Sequence, residues 1–193
     1  MAGHLNVELK ARCPDPARVR RLLEEAGADF RGLDRQRDVY FRVDHGRLKL
    51  RRGTIERALV HYHRADHAGA KRSEVTLARL EALAAPELDA IEAALAAGLG
   101  VSTVVEKARE IRFVDNVKFH LDEVPGLGAF VEIEAIDLDG TRGEAVLRAQ
   151  CEAWRVRLSI AEADLLAHSY SDLIIAAAAA AEPEPVSSTT RRS

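Results

Sequence analysis

The stretch NVELKAR, Asn6 to Arg12, sorts its side chains at period two. Asn6, Glu8, Lys10 and Arg12 fall on one face of an extended strand, and Val7, Leu9 and Ala11 on the other. The apolar face suits a core. The other face carries an acid and two bases, so it looks at water or lines a space that takes charge. The same division recurs along the chain. Arg47, Lys49 and Arg51 alternate with Leu48 and Leu50 in GRLKLRR. Lys107 and Arg109 share a face with Val105 and Ile111 in VVEKAREIRF. Lys118, His120 and Asp122 oppose Phe119 and Leu121 in NVKFHLDEV, and Glu132 and Glu134 oppose Val131 and Ile133 in AFVEIEAI.

Turns and helical stretches separate these strands. After NVELKAR, Asp15 reads as an N-cap with Pro16 at the first helical position. Val19, Leu22, Leu23 and Ala26 form an apolar stripe, and Gly27 is the expected stop. RDVYFRV, GRLKLRR, RALVHYHRA and SEVTLARL read as strands, and PELDAIEAALAAGL as a helix. TVVEKAREIRFVD, NVKFHLDEV and GAFVEIEAIDL follow as three more strands, the last two joined by a hairpin at DEVPGLG. TRGEAVLRAQCEAWRV and AEADLLAHSYSDLI read as closing helices. No repeat of fixed period is visible. The expectation is an α+β fold with about eight antiparallel strands, a number that can close into a barrel. One domain is expected over residues 1–175, followed by an alanine-rich, low-complexity tail over 176–193 that is disordered.

The 193-residue chain carries 28 Lys and Arg against 31 Asp and Glu, so its net charge of −3 argues against a nucleic-acid-seeking cation. Two cysteines without metal-type spacing, and no leader peptide, point to a reduced cytoplasm. The longest apolar run, from Ile174 to Ala181, is too short to span a bilayer.

Any one charged strand face is ordinarily a solvated one. Recurrence across most strands changes the balance. If the apolar faces pack outward against helices, the charged faces line the barrel. An interior of bare Lys and Arg would carry a heavy desolvation cost, but a wet one that receives a polyanion would not. Lys and Arg bind phosphate oxygens, and carboxylates in the same space hold hard divalent ions.

The ordered set NVELK, RDVYFR, LKLRR, VVEKAREIRF, FHLDEVPGLGAFVEIE and SYSDLI resembles the CYTH family, the triphosphate tunnel enzymes. Within it the set is most similar to class IV adenylyl cyclases, over roughly residues 4 to 174. The resemblance implies an eight-stranded tunnel binding a nucleoside triphosphate or inorganic polyphosphate with Mg²⁺ or Mn²⁺. It implies Glu8, Glu132 and Glu134 as metal-side carboxylates and Asp122 as a further tunnel acid. It places Lys10, Arg51, Lys107 and Arg109 on the triphosphate, with Lys49 and Arg64 as additions and His63 as an alternative to Arg64. Lys107, Arg109 and Asp122 would serve catalysis. Ser169 and Tyr170 belong to the closing motif, read as structural, and a homodimer is compatible with the architecture.

The family opens on E-x-E-x-K, and Asn6 stands at the first acid. Asparagine offers a metal a carbonyl oxygen but no charge, so a two-metal site would be weakened. Thr76 is a second departure, near a strand where the family often has an acid. Asp122, just before a Pro-Gly turn, could instead brace the hairpin. His61 and His63 at i, i+2 read as wet-face residues, and Cys151 beside Trp154 reads as packing. Three activities remain open: cyclisation of a nucleotide, hydrolysis of a triphosphate, and binding without turnover.

Overall fold

The computed structural model describes residues 4–64, 68–137 and 139–181. Eight strands close into an antiparallel barrel: β1 (His4–Arg12), β2 (Asp29–Phe41), β3 (Arg47–Gly53), β4 (Arg57–Arg64), β5 (Lys71–Arg79), β6 (Val101–Val114), β7 (Val117–Val124) and β8 (Gly128–Asp137). Their order around the barrel is β1-β5-β4-β3-β2-β6-β7-β8, with β8 returning to β1.

NVELKAR behaves as its alternation predicts. Val7, Leu9 and Ala11 are fully buried on the outer wall. They join Phe119, Leu121, Val131, Ile133 and Ala135 from β7 and β8 in one core. Helix α1 (Pro16–Glu25) supplies Val19 and Leu23 to that core, and α3 (Gly143–Arg157) supplies Leu147 and Cys151. Trp154 of α3 stands edge-on to Phe119, with ring centroids 4.7 Å apart. The Cys151 thiol lies 3.2 Å from the Val7 carbonyl, and both cysteines are buried and unpaired with each other. A smaller core sets Val39, Phe41 and Leu50 under α2 (Ala85–Leu99). The outward apolar faces are therefore covered by helices, as burial of that surface requires.

Asp15 caps α1 by accepting from the Arg18 amide at 2.9 Å, and Gly27 follows in a left-handed conformation, φ +74°. The hairpin at 124–128 closes with Leu127 N to Val124 O at 3.0 Å.

Three expectations are corrected. β2 begins at Asp29 rather than near Arg37, because its first half is polar and broken by a bulge between Phe30 and Gly32. AEADLLAHSYSDLI is not one helix: a 3₁₀ turn (Glu162–Asp164) precedes an extended segment, and α4 runs Tyr170–Ala181. Residues 176–181, expected in the tail, continue α4, in keeping with alanine's helix preference. The rest of the expected tail lies outside the described residues. No helix among the described residues is long and apolar enough to cross a membrane.

Candidate active site in the barrel interior

Antiparallel connectivity gives the barrel two unlike ends. The β2–β3 and β7–β8 turns share one end with the start of α4, and the β3–β4 and β6–β7 turns mark the other. A segment of chain crosses the first end. Residues 165–170 run across it, held by Ala11 bridging to Leu165 and by Lys71 Nζ donating to the Ala167 carbonyl at 2.6 Å. Asp172 braces the start of α4 by accepting from Ser169 N and Oγ, and it pairs with Arg47 of β3 at 3.0 Å. Inside lies a cavity of about 440 Å³.

The inward faces carry the charge. Asn6, Glu8 and Lys10 of β1, Lys49 and Arg51 of β3, and Lys107 and Arg109 of β6 line this cavity. So do Lys118 and His120 of β7 and Glu132 and Glu134 of β8. They meet because partners in register share a face: Glu8 stands opposite Glu134, and Lys10 opposite Glu132.

Two buried acids organise the cations. Asp38 of β2, wholly buried, accepts from Lys49 at 2.9 Å, Lys107 at 2.8 Å and Arg51 at 3.0 and 3.2 Å. Burial opposes its charge, but Arg51, Lys107 and Lys49 outweigh burial and hold the carboxyl well below the usual range. Asp122 takes Arg109 in two parallel bonds, 2.7 and 2.5 Å, and the Tyr170 hydroxyl at 2.8 Å. Its oxygens are thus engaged by the tunnel and not by the hairpin backbone. Arg109 also reaches Glu132 at 2.8 Å, and Lys10 and His120 complete the shell of Glu132 at 2.6 and 2.9 Å. Here too Lys10 and Arg109 overcome the burial cost and hold Glu132 well below its usual range. Lys10 Nζ also sits 3.5 Å from the Tyr170 ring centre. Burial lowers Lys107 to about 7; Asp38 opposes that shift, and Arg109, Arg51 and Lys49 add to it.

The expected metal set divides. Glu132 is spent on three basic partners, whereas Glu134 receives a hydrogen bond from the Asn6 amide. The Asn6 Oδ1 atom is buried without a partner, as is Ser73 Oγ, which stands opposite Asn6 on β5. No group of three His, Cys, Asp or Glu arranged for a metal occurs among the described residues. Two facing carboxylates and an orphaned amide oxygen nevertheless fit Mg²⁺ or Mn²⁺. Such ions take one or two protein carboxylates and draw their other oxygens from water and phosphate.

Some placements differ from expectation. The Arg64 side chain lies outside the described residues, and His63 is exposed on the face opposite Tyr62. Thr76 is exposed on the outer wall, and Val75 and Leu77 take the inward positions of β5. Tyr170, read as structural, reaches the tunnel groups directly.

Sequence reasoning missed Asp38 and Glu56, and gave Lys118 no role beyond its place on the charged face of β7. Glu56, in the β3–β4 turn, accepts from Arg51 at 2.8 Å and pairs with Lys118 of β7. Buried Asp34 fixes that turn by accepting from the Ile55 and Glu56 amides at 2.8 and 3.0 Å. Period-two parity could have flagged Asp38, two residues from Tyr40. Nothing local marks a turn glutamate as an interior group.

The CYTH domain profile matches residues 4–170. A Pyrococcus horikoshii protein shares the fold at TM-score 0.70 and 27% identity, covering 87% of this chain and 98% of that one. A Vibrio parahaemolyticus protein described as a candidate adenylate cyclase is similar at TM-score 0.70 and 22% identity, covering 90% and 99%. A Hippeastrum protein, a candidate adenylyl cyclase reported to have a dominant triphosphatase activity, is similar at TM-score 0.56 and 15% identity, covering 90% and 96%. No curated protein sequence matches the chain.

Proposed function

The chain belongs to the CYTH family, and on that premise we propose that it is a metal-dependent phosphoryl-transfer enzyme. Its substrate is a triphosphate held in the barrel, and its reaction is the conversion of ATP to cyclic AMP and pyrophosphate. One observation carries the reading: Lys49, Arg51 and Lys107 converge on the single buried carboxylate of Asp38 inside a closed barrel. Even with Glu56 as a second partner of Arg51, three cations around Asp38 leave a local excess of positive charge that a polyphosphate would neutralise.

In this reading Lys10, Lys49, Arg51, Lys107 and Arg109 bind the triphosphate oxygens. Lys107, Arg109 and Arg51 stabilise the charge that builds on the transferring and leaving phosphates. Asp38 and Asp122 act on the substrate only through the cations, fixing their directions before it arrives, so the stabilisation needs little reorganisation. Glu8, Glu134 and the Asn6 carbonyl oxygen would hold Mg²⁺ or Mn²⁺, with Glu132 on the same strand. The ion would supply acidity to the attacking hydroxyl and charge neutralisation to the phosphates.

Phosphorus NMR of the chain with ATP and either ion tests the proposal. Pyrophosphate with a cyclic nucleotide is expected. Orthophosphate with a nucleoside diphosphate would replace the cyclase by a triphosphate hydrolase in the same tunnel. Tight binding without turnover in both ions would leave a binding protein, with Asn6 as the natural cause.

A further inference from the structure

The barrel interior is charged on only part of its circumference. On the adjacent strands β4 and β5 the inward positions Ala58, Val60 and Tyr62, then Val75 and Leu77, line the cavity, flanked on β5 by Ser73 and Arg79. Register places this apolar wall directly beside the cations: Lys49 pairs with Val60, which pairs with Leu77, and Arg51 pairs with Ala58. Leu173 and Ile174 of α4 belong to the same apolar cluster, but Val75 and Leu77 remain half-buried.

A tunnel that held only an inorganic chain of phosphates would gain nothing from such a wall. Every oxygen of that ligand prefers a cation or water, and the apolar side chains would stay wetted. A ligand with a charged tail and an uncharged organic head uses both halves, because the head removes apolar surface from water while the tail meets Lys49, Arg51 and Lys107.

From this asymmetry we infer that Val60, Val75 and Leu77 form a specificity wall that selects organic polyphosphate esters and makes inorganic tripolyphosphate the poorer ligand. The inference rests on the triphosphate reading above and names the residues that favour an ester over inorganic tripolyphosphate. Val60, Val75 and Leu77 contribute no charged hydrogen-bonding group, so between Ser73 and Arg79 they rank ligands by the flat or apolar surface of the head. Tyr62 and Tyr40 add aromatic surface at its deep edge. Their phenols are held neutral because burial and neighbouring groups raise both well above the ordinary tyrosine value.

Titration calorimetry on the full chain, with a chelator present to prevent turnover, tests this. The probes are tripolyphosphate, the four ribonucleoside triphosphates and thiamine triphosphate. At least one ester is expected to bind about tenfold more tightly than tripolyphosphate, the gain from covering a modest apolar area. Val75→Thr and Leu77→Asn, at half-buried sites that tolerate polarity, are expected to erase that advantage and leave tripolyphosphate affinity within about twofold. Tripolyphosphate binding as tightly as every ester, or equal losses for both ligand types in the variants, overturns the wall and leaves the triphosphate reading intact. Absence of binding by all probes, both with the chelator and with Ca²⁺ in its place, overturns both.

Discussion

Asn6 stands at the position expected to carry the first acid of the opening motif, and its surroundings say what the asparagine does there. Its amide donates to Glu134 while its carbonyl oxygen is buried without a partner. Asn6→Glu would place a third carboxylate beside Glu8 and Glu134. The variant is expected to lose stability without divalent ion, regain it with Mg²⁺, and turn over ATP about tenfold faster. Thermal melts and initial rates check this, and an unchanged or lower rate with metal would count against the role given to Asn6. Lys107 offers a second test. Its folded value of about 7 lies below the ordinary 10.5, so between these values the unfolded chain holds more protons. The group therefore weakens the fold increasingly as pH falls from 10.5 to 7, and by a constant amount below. A bound triphosphate favours the ammonium form against the combined effect of burial, Arg109, Arg51 and Lys49. Once the ligand's own terminal-phosphate ionisation is subtracted, binding is expected to take up a proton at Lys107 near pH 8 and about none at pH 6. Calorimetry in buffers of differing ionisation enthalpy reads the uptake directly, and pH-independent binding would rule it out.

The β3–β4 turn shows how an element, more than any residue alone, brings a group into the site. Asp34 accepts from the turn's amides and from the Thr54 hydroxyl, and Gly53 packs against its carboxylate. A Cβ at Gly53 would fall 2.6 Å from Asp34 Oδ1 and 2.5 Å from the Glu56 carbonyl, too near for either to stay. Gly53→Ala is expected to cost about 1–3 kcal/mol and to free Glu56 from Arg51 and Lys118. Denaturant unfolding checks the cost; a loss under about 0.5 kcal/mol would mean the turn shifts without strain. None of this was legible from GTIE in isolation. The capped helix α1, by contrast, was, because Asp15, Pro16 and Gly27 act through neighbouring backbone. The first half of β2 was not, because DFRGLDRQ has no apolar alternation and a bulge interrupts its register.

At the scale of the whole molecule, the barrel gathers charges of both signs into one cavity, with Lys49, Arg51 and Lys107 grouped on Asp38. Tripolyphosphate should bind the cations grouped on Asp38, so a saturating amount is expected to stabilise the fold by about 3 kcal/mol at 100 times Kd, less at high salt. A melting temperature that does not respond to tripolyphosphate would contradict an anion-binding interior. Much of this molecule was written into the strands themselves. Alternation in NVELKAR, VVEKAREIRF and AFVEIEAI determined which side chains share a face, and the helices' apolar stripes determined that the opposite faces would be covered. Period two is a local property of extended backbone, so it survives in sequence. Only closure of the barrel decided what met inside it. That Asp38 would gather cations from two other strands, that Glu132 would be drawn off by Lys10 and Arg109, and that β4 and β5 would turn an apolar wall inward all depend on register between distant segments. No stretch of chain records its partner's register, so those contacts exist only once the eight strands are in place.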